Sequence, residues 1–113
     1  MAARNPLLKA PPYQGESALK TLGAHLRTAR LRRGLTIEGV ASKIGTSRYV
    51  VADAEKGKPS TGIAVYVALL WAYGLTDQVM NLANPATDEE GLSLSLMNER
   101  ERARPRKGLN NDF

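Results

Sequence analysis

The 113-residue sequence predicts an all-α fold, and three observations carry the prediction. Apolar residues recur at spacings of three and four, a glycine follows most of these periodic stretches, and a serine or threonine precedes them. Leu19, Leu22, Leu26 and Ala29 form the apolar stripe of a first helix from about 18 to 33, with Ser17 as its N-cap and Gly34 as its stop. Thr36 caps a short second helix whose inward residues are Val40, Ala41 and Ile44, and Gly45 ends it. Thr46 caps the third, "SRYVVADAE", in which Val51 and Ala54 point inward while Arg48, Tyr49, Ala52 and Asp53 lie toward the opposite side. After Gly57 and Pro59, Ser60 or Thr61 caps a fourth helix, "GIAVYVALLWAYG", apolar enough to be central. Gly74 closes it, and "TDQVMNLA" reads as a fifth, capped by Thr76 with Asp77 at its positive end.

The two ends differ from this middle. Residues 1–16 carry three prolines and little periodicity, which predicts a flexible arm ahead of a domain over 17–84. In the segment 85–97, Leu92, Leu94 and Leu96 alternate as in a strand, while Leu92 and Leu96 also stand four apart as in a helix. Of the two, the reading adopted is a short strand, paired with the same segment of a second subunit because the rest of the chain offers no partner strand. The charge-rich stretch 98–113 is expected to be an unfolded basic tail.

Composition narrows the function. The chain has no cysteine, which removes disulfides and thiolate metal sites and suits a reducing compartment. No apolar stretch is long enough to span a bilayer, and the first residues lack the apolar run of a signal peptide, so a cytoplasmic protein without membrane attachment is expected. With a single histidine, His25, no glycine-rich phosphate loop and no paired carboxylates, neither an enzyme nor a metal, cofactor or small-molecule site is expected. His25 itself reads as a surface residue, and Tyr66, Leu70 and Trp71 as core or dimer-surface residues. Charge is segregated: residues 18–57 hold eight Lys/Arg against three Asp/Glu, whereas residues 58–91 hold one Lys against four acids. A one-sided positive field attracts polyanions, nucleic acid first, although a solvated helix face would look the same by charge alone.

The second and third helices, joined around "IGTS", form the informative unit. A helix, a four-residue turn with a glycine and a second helix make the arrangement in which the second helix enters the DNA major groove with its N-terminal residues at base edges. Arg48 and Tyr49 stand in that first turn. An arginine donates two hydrogen bonds to guanine O6 and N7, and a tyrosine packs on a thymine methyl or bonds a phosphate. Ala52 and Asp53 complete the groove-facing side, and Ser47, Lys43, Lys58 and Ser60 are placed for phosphate contacts.

The stretch "LGAHLRTARLRRGLTIEGVASKIGTSRYVVADAEKGKPST" resembles the five-helix phage-repressor, Cro/C1-type or XRE, family of helix-turn-helix domains over roughly residues 19–83. The resemblance implies that Arg30 pairs with Glu55 as a structural ion pair, that Arg48 and Tyr49 occupy the principal base-reading positions, and that Ser47, Lys58 and Ser60 contact the backbone. Two residues depart from the family pattern: Ile37 replaces a phosphate-gripping glutamine, and Asp53 places a carboxylate on the groove side. Farther on, "YVALLWAYGLTDQVMNLANPATDEEGLSLS" with a basic tail ending in "NNDF" is similar to the antitoxins of HipA/HipB-type modules. That similarity implies a homodimer on a palindromic double-stranded DNA operator, repression of its own operon, a HipA-like serine/threonine kinase toxin as partner, and Phe113 as a toxin contact. Two alternatives stay open: a stand-alone phage-type or metabolic regulator, and the same fold used only to hold a protein partner.

Overall fold

The computed structural model describes residues 5–109, and among these every regular element is helical. Seven α-helices run in the order α1 (Pro6–Lys9), α2 (Tyr13–Arg32), α3 (Ile37–Ile44), α4 (Arg48–Glu55), α5 (Ile63–Ala72), α6 (Thr76–Met80) and α7 (Glu89–Leu109), with one 3-10 turn at Pro85–Thr87. The chain divides into two compact units, one reaching Val79 and the other starting at Met80.

In the first unit, α2 to α5 surround a core of Leu26, Val40, Ala41, Val51, Ala54, Tyr66, Leu69, Leu70 and Tyr73. Leu19, Leu22, Ala29 and Ile44 pack on its edge, so the apolar stripes expected on the first three helices are the ones buried. Two glycines allow α2 and α4 to approach closely. A Cβ on Gly23 would lie 2.6 Å from the Glu55 carbonyl oxygen and 2.7 Å from the Gly57 nitrogen, and Gly57 itself has φ +70°. Only glycine combines that conformation with backbone-to-backbone contact.

Several element starts differ from expectation. α2 begins at Tyr13, not 18, because Pro12 supplies the extended residue before the helix and a preset φ, and Ser17 lies inside the second turn as an exposed residue. The arm expected to be flexible thus contains the start of α2 and, before it, α1, whose first turn is closed by the Leu7 amide donating to the Asn5 side chain at 3.0 Å. Ser47, not Thr46, caps α4, and Gly62, with no side-chain cap, precedes α5 in place of Ser60 or Thr61.

In the second unit, Leu92, Leu94 and Leu96 are helical, which overturns the expected strand. The reason is local. The Gly91 amide donates to Asp88 Oδ1 at 3.0 Å, capping α7, and Glu89 and Glu90 follow in the positively polarised first turn. The helix continues to Leu109 through the stretch expected to be unfolded, which is rich in the good helix formers Arg, Glu and Lys. Phe113 lies outside the described residues.

Candidate nucleic-acid interface

α3 and α4 are joined by three residues. Gly45 adopts φ 82°, and its amide together with that of Thr46 donates to the Ala41 carbonyl, both at 2.9 Å, which closes the end of α3 and turns the chain. Ser47 then accepts from the Val50 amide at 3.3 Å and starts α4. Its hydroxyl oxygen is therefore engaged as a cap, and the hydroxyl hydrogen is what it can offer to a phosphate.

The orientation of α4 is fixed at its far end. Arg30 of α2 and Glu55, the last residue of α4, form a two-bond pair: Nε to Oε2 at 2.7 Å and Nη2 to Oε1 at 3.1 Å. The remaining Nη1 donates to the Leu35 carbonyl at 2.9 Å, so one guanidinium ties α2, α4 and the loop ahead of α3. Both side chains are almost wholly buried, at 8% and 6% exposure. The Glu55 hydrogen bonds raise the Arg30 pKa further above its ordinary value, with burial opposing and the Glu55 charge adding to the rise.

With Val51 and Ala54 facing the core, Arg48 and Tyr49 are left on the outer side of the first turn, and Tyr49 is 67% exposed. Arg48 is not a free cation. Its Nη1 donates to Glu38 Oε2 at 3.3 Å, its Nη2 donates to the Tyr49 hydroxyl at 3.1 Å, and its guanidinium lies 5.0 Å from the centre of the Tyr49 ring. The Tyr49 bond first, then the Glu38 bond and charge, raise the Arg48 pKa. Glu38, on the first turn of α3, is held below the ordinary carboxylate value by its own backbone amide and then by Arg48. These three side chains form one exposed cluster across the α3–α4 turn. Sequence reading passed over Glu38; its acidic type at a helix start was the one visible signal, and that signal has an ordinary explanation in the helix dipole.

The other candidate residues have partners of their own or stand at the surface. Asp53 lies half-buried on the same helix and pairs with Lys58 at 3.6 Å, so its carboxylate is partly neutralised and Lys58 is held beside α4. Ala52, the residue before Asp53, is half-buried, and Ser60 is exposed in the loop leading to α5. Lys43 sits at the end of α3 with its ammonium 5.6 Å from the ring centre of Trp71, which is 57% exposed and therefore a surface residue, whereas Tyr66 and Leu70 are in the core. Ile37 packs at the edge of that core, which accounts for an apolar residue at the position. His25 is exposed. Among the described residues no group of His, Asp or Glu is arranged to hold a metal ion, and no helix is long and apolar enough to cross a membrane.

A helix that ends on a left-handed glycine, a three-residue turn and a second helix with its N-terminal polar face exposed define a DNA-binding helix-turn-helix module. The model of the helix-turn-helix domain family matches residues 21–83, more than half of the sequence, and the chain belongs to that family, in its XRE-like type. Among curated proteins, none matches.

Proposed function

We propose that this DNA-binding protein is a sequence-specific transcriptional repressor that acts as a dimer on a palindromic operator. The observation that carries the reading is the Arg48–Tyr49 pair, exposed in the first turn of α4 directly after the turn, with the guanidinium held in one orientation by Glu38 and Tyr49. A planar donor fork matches the paired O6 and N7 acceptors on the major-groove edge of guanine. Tyr49, Ala52 and Asp53 form the rest of the base-facing side, with Lys43, Ser47, Lys58 and Ser60 around it for the backbone. A two-fold dimer presents two such helices to half-sites about one helical turn, or a multiple of it, apart. The resemblance of the later helices and tail to HipB-type antitoxins extends the reading: the repressor autoregulates its operon and neutralises a HipA-like serine/threonine kinase, with Phe113 as a contact.

The test is fluorescence anisotropy of the chain against the DNA upstream of its own coding region and a shuffled duplex of equal composition, at two salt concentrations. A preference of about a thousandfold that persists at the higher salt establishes operator recognition. Arg48→Ala should then cost about 1 to 3 kcal/mol and relax the preference at a single base position. Equal, steeply salt-dependent binding to both duplexes would refute the repressor and leave a helix-turn-helix fold that holds a protein partner. Co-purification with a kinase encoded beside it tests the antitoxin role separately.

A further inference from the structure

α7 leaves an apolar stripe without a partner. Leu92 and Leu96, one turn apart, are 61% and 49% exposed. At 3.6 residues per turn, Glu89 and Arg100 fall on one flank of that stripe and Gly91, Ser95 and Arg102 on the other, where Asp88, the residue ahead of the helix, is drawn by its bond to the Gly91 amide. Beyond Leu96 the stripe is ended by Glu99, so the apolar part is short and has acid at its start and base at its end. Among the described residues, Glu89, Arg100 and Arg102 make no ion pair within the chain, and Asp88 is bonded to the Gly91 amide. Unpaired leucines and unpaired charges thus occupy the same face.

We infer that α7 pairs with α7 of a second copy of this chain, antiparallel, with Leu92 of each helix on Leu96 of the other. The charge order selects the direction. A parallel, in-register pair would set acid against acid and base against base, at an energetic cost. The antiparallel pair sets Glu89 beside the second copy's Arg100 on one flank and Asp88 beside its Arg102 on the other, and the two-fold axis repeats both contacts. Helix dipoles also oppose in this arrangement. Ser95, on the Asp88 flank, is small enough to let the helices approach. An antiparallel pair of identical helices is an isologous contact, which closes at two copies rather than growing into a chain. The inference deepens the dimeric part of the proposed function and rests on it for its purpose: it gives the surface through which two copies face one operator.

The experiment is analytical ultracentrifugation of the full chain and of charge variants, without DNA. The wild-type chain should sediment as a concentration-dependent dimer of the 12.3 kDa chain. Glu89→Lys alone and Arg100→Glu alone should each weaken the dimer about tenfold, since the two-fold axis doubles every pair and each change places like charges together. The double variant Glu89→Lys with Arg100→Glu should recover the wild-type constant to within about threefold, because both pairs are rebuilt with reversed sign. Leu96→Asp should give a monomer whose far-UV circular dichroism still shows the helices. A chain monomeric at tens of micromolar, a dimer indifferent to Leu96→Asp, or a double variant no better than the singles would each overturn the pairing. The outcome is separable from DNA reading. A dimer obeying the charge swap but preferring no duplex refutes the repressor alone, whereas an operator preference carried by a chain that ignores the swap refutes the α7 pairing alone.

Discussion

Removing one partner of the Arg30–Glu55 pair should be the most damaging single polar change in the first unit. In Glu55→Ala the Arg30 guanidinium, 8% exposed, loses two of its three hydrogen bonds at 2.7 and 3.1 Å and keeps only the Leu35 carbonyl. It stays charged, because no accessible pH deprotonates an arginine. A buried charge stripped of its counter-ion costs about 3 to 5 kcal/mol. A unit of this size has on the order of 4 to 12 kcal/mol of total stability, so about a quarter or more of it is removed. At 4 to 8 °C per kcal/mol for a domain this large, the melting temperature should fall by more than about 12 °C. Thermal unfolding followed by circular dichroism at 222 nm reads this directly. The double change Arg30→Met with Glu55→Leu is the informative control: with both charges gone and the volume filled, stability should return close to wild type. A loss below about 1 kcal/mol in Glu55→Ala would refute the reasoning, since it would mean that water reaches Arg30 and the pair is no better than a surface salt bridge.

Other perturbations have definite signs. In α2, Gly23→Ala drives a Cβ to 2.6 Å from the Glu55 carbonyl and should destabilise by about 1 to 3 kcal/mol. Gly15→Ala in the same helix, whose nearest neighbour would be 3.9 Å away, should stabilise by up to about 1 kcal/mol, and melting curves of the two variants give opposite shifts. Burial raises the pKa of Tyr66 and Tyr73 above the ordinary tyrosine value, so their neutral forms are favoured by folding. The resulting stability is intact below that ordinary value and falls as pH rises through the raised ones; denaturant titrations above pH 10 should show the decline. Because the buried Tyr73 hydroxyl finds no hydrogen-bond partner among the described residues, Tyr73→Phe should leave neutral-pH stability unchanged or higher and flatten that alkaline slope. On DNA, Glu38→Ala should strengthen binding to shuffled duplex by removing a carboxylate near the phosphates. It should also narrow the gap to the operator, because Arg48 loses the bond that aligns it; an unchanged ratio in anisotropy would show that Glu38 does not position Arg48.

The middle of the fold was legible because each helix there states its period and its stop in residues whose effect is local. Thr36 and Gly45 do as cap and stop what their types require, and Leu26, Val40, Val51 and Ala54 are buried where periodicity puts them. The misjudged boundaries lie where several residues compete for one role. Ser17 looks like a cap, but Pro12 fixes the backbone five residues earlier, and Ser47 caps α4 in place of Thr46 because its hydroxyl is the one that accepts from the Val50 amide. Leu92, Leu94 and Leu96 satisfy both a period of two and a spacing of four. The decision comes from Asp88 and the acidic residues behind it, which start a helix before the leucines are reached. A periodicity count blind to caps has no access to that information.

The interface was legible only as a set of positions. Spacing after "IGTS" places Arg48 and Tyr49 in the first turn of α4, and the structure puts them there, exposed. What spacing does not contain is the contact ten residues back to Glu38, which depends on the angle at which α3 and α4 cross, and that angle is set by groups outside the cluster. Gly45 turns the chain, Gly23 and Gly57 let α4 approach α2, and Arg30 holds Glu55. A surface arginine aimed by a carboxylate on another helix is therefore a product of the core. It follows that changes at Gly23 or Glu55, which are turned away from the exposed cluster, should lower discrimination between duplexes before they abolish folding, in step with the loosening of α4 against α2. Arg48→Ala, by contrast, should lower discrimination with the melting temperature unchanged, because its side chain is exposed and its bonds to Glu38 and Tyr49 are made in water. Discrimination and stability measured together on these three variants separate the residue proposed to read bases from the residues proposed to aim it.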